Sequence, residues 1–251
     1  MTMGGYAQVT DNDFTPHSGQ PGKDVVWVPT PQTLVDTMLA LAKVTSADYV
    51  IDLGSGDGRL VITAAKRGAK ALGIEYNPDM VELARRFAKE EGVSAKATFK
   101  NADLFETDFS EASVITMFLL QSINLKLRPK ILDMKPGTRV VSNTFDMGDW
   151  KPDQTRQLTE NYESWTTAHL WIVPAKVDGI WKLIDGQINF TQEFQHISGT
   201  LTVGNENKLL TGKLEGNKIS FDVGDVQYTA TVNGNTISGT RTQGGAWKAT
   251  R

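Results

Sequence analysis

The sequence predicts an α/β protein: a parallel sheet with helices on both faces, followed by a small all-β antiparallel meander or barrel. Three observations carry this reading. A short buried-strand pattern, Val50-Ile51-Asp52-Leu53, runs straight into the alternate glycines Gly54, Gly56 and Gly58. Apolar runs of strand length then alternate with helical patterns of about ten to fifteen residues, the mark of βαβ units. At 174–176 the composition changes: helical periodicity stops, and Gly, Asn and Thr punctuate short alternating strands as far as Arg251.

Taken in order, residues 1–24 are polar and rich in Gly, Asp, Thr and Pro, and read as a flexible arm. The apolar run Val25-Val26-Trp27-Val28 is ended by Pro29 and Pro31. Pro31 suits the first turn of a helix capped by Thr30, with Leu34, Val35, Met38, Leu39 and Leu41 at helical spacing. The first strand is expected at 49–53, then a helix at 59–68, a strand at 70–75, and a helix at 78–91 opened by Asn77-Pro78-Asp79 and stopped by Gly92. A strand at 96–101 leads to Asp103. A strand at 112–118, a helix over 123–134, the turn Lys135-Pro136-Gly137 and a strand at 138–143 complete the alternation, which winds in right-handed crossovers. Residues 160–173 read as a β-hairpin, with 162–165 and 168–173 flanking Thr166-Thr167. Beyond 176, candidate strands lie at 188–190, 199–203, 218–223, 227–232, 236–240 and 246–249, with turns at Gly216-Asn217 and Asn233-Gly234-Asn235. Phe190, Phe194, Phe221, Tyr228 and Trp247 are expected to form the core of this module. The organisation is therefore an arm (1–24), an α/β domain (25–175) and a β-meander domain (176–251).

Composition narrows the function classes. A net charge of −3 gives no electrostatic reason to expect nucleic acid as a partner. The absence of cysteine excludes disulfides, thiolate metal sites and a cysteine nucleophile. His17, His169 and His196 are scattered without ligand spacing, so no metal site is expected. No apolar run approaches the roughly 18 residues that span a bilayer. The N-terminus lacks the charged-then-apolar pattern of a secretory signal. The chain reads as cytoplasmic, although an exported chain freed of its leader would read the same.

The chemistry concentrates in the glycine loop. A glycine at every second position turns the backbone tightly and leaves room for a ligand. The G-x-G-x-G spacing is one residue short of the dinucleotide fingerprint. Glu75 ends the next apolar run, 21 residues after Gly54, where a carboxylate can accept two hydrogen bonds from a ribose diol.

Loop and acid on consecutive strands resemble motif I and the acidic strand end of the class I S-adenosylmethionine (SAM) methyltransferases. Residues 25–155 are similar to a bacterial group of these enzymes that share a Val-Pro-Thr-Pro lead-in (28–31), an Asp-Leu-Gly-Ser-Gly-Asp-Gly-Arg loop (52–59), a Lys-Pro-Gly-Thr-Arg-Val-Val-Ser strand (135–142) and Phe-Asp-Met-Gly-Asp-Trp (145–150). Loop and lead-in also look like those of the mitochondrial protein-lysine methyltransferases that modify the ATP synthase c-subunit and the adenine nucleotide translocase. The resemblance does not extend to 176–251.

The resemblance implies SAM as cofactor. Gly54, Ser55, Gly56 and Gly58 would receive its amino-acid end, with Asp52 facing the ammonium. Glu75 would bind the ribose, Tyr76 would lie beside the adenosine, and Asp103 with the backbone of Leu104 would read the adenine. Thr30 would touch the cofactor from the lead-in, and Phe118 would end the fourth strand beside the methyl group. Enzymes that methylate adenine or glutamine amides carry Asn/Asp-Pro-Pro-Tyr/Phe there; Phe118-Leu119-Leu120-Gln121 departs from it and argues against base methylation. Asn124 and Asp146 are the catalytic candidates, and Phe145 and Trp150 the substrate contacts. The expected activity is methyl transfer to a small-molecule or protein acceptor, a lysine or another amine. One rival is a catalytically inactive SAM-binding scaffold with a β-rich recognition module. Another is a NAD-dependent oxidoreductase, against which the loop spacing and Asp103 count. The tail is expected to dock on the α/β domain and to restrict or present the substrate, without touching the cofactor.

Overall fold

The computed structural model describes residues 14–158 and 165–251. Helix α1 (Gln32–Leu41) precedes a strand–helix alternation: β1 (Tyr49–Leu53), α2 (Arg59–Lys66), β2 (Lys70–Glu75), α3 (Pro78–Glu90), β3 (Ala97–Asn101), β4 (Val114–Met117), α4 (Gln121–Leu132) and β5 (Arg139–Asn143). Strands β6 (Gln154–Gln157) and β7 (Thr167–Ile172) complete a seven-stranded sheet of order β3-β2-β1-β4-β5-β7-β6. Strands β1 to β5 are parallel, and β7 runs antiparallel between β5 and β6.

Both faces of the sheet are covered, so its central strands β1, β4 and β5 are buried along almost their whole length rather than on alternate residues. Strand β1 sends Val50 into a layer with α1, α2 and α3, and Ile51 and Leu53 into a layer with α4. The glycine loop leaves β1 at the point where the strand order reverses, between β1 and β4. That is the crevice where open parallel sheets bind ligands.

Eight further strands close a barrel: β8 (Gly179–Lys182), β9 (Gly186–Glu193), β10 (His196–Val203), β11 (Glu206–Glu215), β12 (Lys218–Val223), β13 (Val226–Asn233), β14 (Thr236–Arg241) and β15 (Gly245–Thr250). Side chains fill its interior. Phe221 stacks on Tyr228 with centroids 4.8 Å apart and meets Phe190 and Trp247 edge-on. Closure removes the exposed edges that an open meander would present.

Four expectations need correction. The expected turn at Thr166-Thr167 is not there, since Thr167 opens β7 and pairs with Gln157 of β6; the expected arm 162–165 lies, but for Trp165, outside the described residues. Thr30 makes no capping bond, and Pro31 occupies the N-cap of α1. Strands β8 and β11 belong to the barrel although the sequence pattern does not mark them. In β11 an outward Leu209, 81% exposed, sits among lysines and disrupts the period-two alternation. Phe194 leaves the barrel core: at the β9–β10 turn, with φ of 52°, it stacks on Trp150 of the α/β domain at 5.9 Å. Among the described residues, no helix is long and apolar enough to cross a membrane.

Candidate cofactor and acceptor site

A partly open cavity lies at the carboxyl edge of β1–β4. Asp52, Gly54, Ser55, Gly56, Asp57, Glu75, Tyr76, Asp103, Leu104 and Phe118 line it, together with Thr30 and the preceding segment 20–29, whereas Gly58 faces Phe99 and Ala84 instead. Most of the positions assigned to the cofactor from sequence therefore converge on one space.

The loop owes its path to its glycines. Gly54, Gly56 and Gly58 have φ of 77°, 53° and 83°, the left-handed region that other residues enter at a cost. The N–H groups of Gly54 and Ser55 both donate to the Ile74 carbonyl, at 2.9 and 3.0 Å, which ties the loop to the end of β2. A side chain on Gly56 would also collide with the Trp27 indole, whose Nε1 would lie 2.5 Å from its Cβ. Glu75 is held from both sides: one carboxylate oxygen accepts the Gly56 N–H at 2.9 Å and the other the Asn77 N–H at 2.9 Å. Each oxygen keeps a further lone pair for a ligand.

Asp52 is 3% exposed, and its Oδ1 accepts the Thr116 hydroxyl at 2.6 Å. Burial, with the Glu75 and Asp57 charges adding to it against the Thr116 hydrogen bond, pushes its carboxyl up to about 7. An unpaired buried acid of this kind calls for a cation. Asp103 is already engaged: Oδ2 pairs with the Lys23 ammonium and Oδ1 accepts the Phe105 N–H at 2.9 Å, and Lys23 foremost holds the carboxyl below its usual range. Lys23 also sits over the Tyr76 ring, 4.7 Å from its centroid. Residues 14–24, read as an arm, thus fold across the cavity. The Gly19 N–H donates to the Trp27 carbonyl at 2.8 Å, and Gln20 is buried against Met80.

The donor set fits a charged nucleoside. Asp52 answers an ammonium and Glu75 a diol. Leu104, Leu119 and Ile123 offer apolar surface for a base, and a Cβ at Gly56 would close the cradle.

On the acceptor side two assignments fail. Trp150 is fully buried between Trp171 and Phe194 and touches no outside molecule. Asn124 is also fully buried; its Nδ2 donates to the Phe145 carbonyl at 3.0 Å and the Asp146 carbonyl at 3.2 Å, so it positions the loop after β5 and is not catalytic. Asp146 accepts the Gln121 amide at 2.5 Å and the Gly148 N–H at 2.9 Å, and these bonds hold its carboxyl low. It is half-buried, a negative charge fixed in place. Thr30 is buried beneath the cavity, where its hydroxyl accepts from Asn143 Nδ2 at 3.3 Å and its carbonyl from Arg59 at 2.6 Å.

Three residues escape the sequence reading. Lys23 lies in a stretch without periodicity. Trp165, next to Phe118 and Phe145, lies beside a misassigned turn. His169, dismissed for its spacing, sits half-buried near Asp146 with its Nδ1 2.9 Å from the Thr155 hydroxyl, and burial lowers its pKa.

Comparison with known proteins agrees with this geometry. The model of the ANTKMT methyltransferase domain matches residues 52–154. A protein-lysine N-methyltransferase of Saccharolobus islandicus is 41% identical over 152 residues, 59% of this chain and 94% of that protein. The mouse (Mus musculus) adenine nucleotide translocase lysine N-methyltransferase is 37% identical over 105 residues, 41% of this chain and 46% of that protein, so the chain spans about half the length of that relative. A crystal structure described as an RNA methyltransferase from Salinibacter ruber with bound S-adenosyl-L-homocysteine is 49% identical, with a TM-score of 0.56, covering 60% of this chain and 96% of that one.

Proposed function

Because this chain belongs to the ANTKMT-related class I SAM-dependent methyltransferases, with SAM as its cofactor, we propose that its acceptor is the ε-amine of a protein lysine. The observation that carries this reading is the 41% identity to a protein-lysine N-methyltransferase across 94% of that protein's length. When bound, SAM would supply a methyl activated on a positive sulfonium, for N-methylation of an amine with return of the C–S electron pair to sulfur and loss of one proton to solvent.

The chain's own part is positioning and electrostatics. Asp52 holds the cofactor's ammonium, Glu75 its ribose, and Leu104 with Asp103 the base, once Lys23 yields its hold on that carboxylate. The strap 14–28 excludes water from the cavity. No acid–base pair is required for an acceptor that arrives as the free amine.

The Salinibacter ruber structure supports a second reading, methyl transfer to RNA. A net charge of −3 opposes it, since phosphate contacts dominate affinity for nucleic acid. The deciding experiment incubates the full chain with methyl-labelled SAM and a whole-cell extract holding both protein and RNA, then digests each fraction. Label in methyllysine is expected. Label in methylated nucleosides, with none in lysine, would replace this reading by the second.

A further inference from the structure

Three aromatic rings from three separate segments meet beside the cofactor cavity. Phe118, which follows β4 and lines that cavity, lies 6.2 Å from Phe145 and 5.7 Å from Trp165, centroid to centroid. Phe145, which follows β5, lies 5.6 Å from Trp165, which precedes β7. Trp165 is 38% exposed, so the cluster reaches from cavity to solvent.

The cluster is held with backbone strain. Thr144 and Trp165 have φ of 60° and 72°, a region that β-branched and bulky residues seldom enter. Such strain persists where the surroundings over-determine it, and it gathers at functional sites. Here the Thr144 N–H donates to the Thr167 carbonyl at 2.7 Å, the Thr144 hydroxyl to Asn143 Oδ1 at 2.9 Å, and Asn124 Nδ2 to the Phe145 carbonyl at 3.0 Å. Asp146, next in the chain, adds a negative charge fixed by Gln121 and Gly148.

We infer that the outer faces of Phe118, Phe145 and Trp165, which pack on one another, form one side of a slot for one acceptor lysine side chain, with its four-carbon stem along the rings and its nitrogen delivered to the cavity that Phe118 borders. This rests on the lysine reading above. Ring faces suit both parts of that side chain: the stem gains apolar contact, and a cationic nitrogen is attracted to the ring quadrupole. The attraction grows as methyl transfer moves positive charge onto nitrogen. A carboxylate or alcohol acceptor would gain nothing comparable.

The test titrates the full chain, saturated with S-adenosylhomocysteine, with n-butylammonium (the lysine side chain cut at Cα) and with n-butanol, read by saturation-transfer NMR. Butylammonium should bind more tightly than butanol by about fivefold, the scale of a cation–π contact. Trp165→Ala and Phe145→Ala should each remove that preference and leave the affinity for S-adenosylhomocysteine unchanged. Trp165→Phe, which keeps a ring face and tolerates exposure, should retain it. Equal binding of the two probes, no butylammonium binding, or full preference in Trp165→Ala and Phe145→Ala would overturn the slot. Should the extract assay yield no methyllysine while butylammonium binds as expected, the amine selectivity stands and only protein as carrier falls.

Discussion

At the scale of single residues, Asp52 carries the most consequence. Its carboxyl is pushed up to about 7 by burial and by the neighbouring charges of Glu75 and Asp57. A cofactor ammonium binds only the ionised form, so below pH 7 binding must first expel a proton from the carboxyl. The sign follows: affinity for S-adenosylhomocysteine is level above about pH 7 and falls towards tenfold per pH unit below it. Calorimetry at pH 6 in buffers of differing ionisation enthalpy should record proton release, and Asp52→Asn should abolish that release. A pH-independent affinity would show that Asp52 faces no ammonium. Asp52, Glu75 and the three glycines were legible in the sequence because loop and acid sit at fixed spacing around one βαβ unit, a local constraint. Lys23, Trp165 and His169 were not, because each reaches the site only through the tertiary path of a segment without periodicity. Trp150 and Asn124 misled for the complementary reason: an aromatic and an amide in a polar loop read as contacts until the packing buries them.

At the scale of elements, one guanidinium ties three of them together. Arg139, at the start of β5, donates to the Ala42 carbonyl beyond α1 at 2.7 Å and pairs with Asp48, just before β1. Burial pushes the Asp48 carboxyl up, but the Thr45 N–H, the Ser113 hydroxyl and Arg139 together pull it net below its ordinary value. A depressed carboxyl contributes stability that is present above its unfolded pKa and lost as pH falls through the folded one. Arg139→Ala should therefore destabilise the fold by about 2–3 kcal/mol at pH 7, the scale of charged hydrogen bonds to a group left buried. The deficit should shrink as pH falls from about 4, where the unfolded carboxyl takes up its proton, and on through the lower folded pKa, below which Asp48 is neutral in both states. Thermal unfolding of the two proteins at pH 7 and pH 3 measures this, and an equal melting temperature at pH 7 would remove Arg139 as a tie. Elements were legible where the period was clean. Strands β1 and β2 lie within the ranges expected of them, and each helix falls within two residues of its expected ends. The β6–β7 hairpin was misplaced because its first arm, Gln-Thr-Arg-Gln, is exposed throughout and carries no apolar signal.

At the scale of the whole molecule, the barrel sits against the loop that carries the acceptor-side residues. Phe194 stacks on Trp150 with Arg128 over its other side, Gln195 Nε2 donates to the Lys151 carbonyl at 2.9 Å, and Lys213 pairs with Asp153 at 3.0 Å. Gly216 meets Gly137 so closely that a Cβ there would lie 2.9 Å from the Gly137 Cα. The barrel thus braces residues 150–153. Among the described residues, those lining the cavity all lie between Gln20 and Ile123, so no barrel residue lines it. Its all-β character was visible in the turn chemistry. Its closure and its docking were not, because they depend on which strands pair across long separations. The account as a whole stands on the cavity at the edge of β1–β4 being the cofactor site, and Glu75→Ala tests this most directly. The substitution removes the carboxylate proposed to accept from the ribose, and calorimetric titration with S-adenosylhomocysteine should lose about 1.5–3 kcal/mol, roughly ten- to a hundredfold in affinity. Wild-type affinity in the folded variant would mean that Glu75 only caps its loop and that the cofactor binds elsewhere.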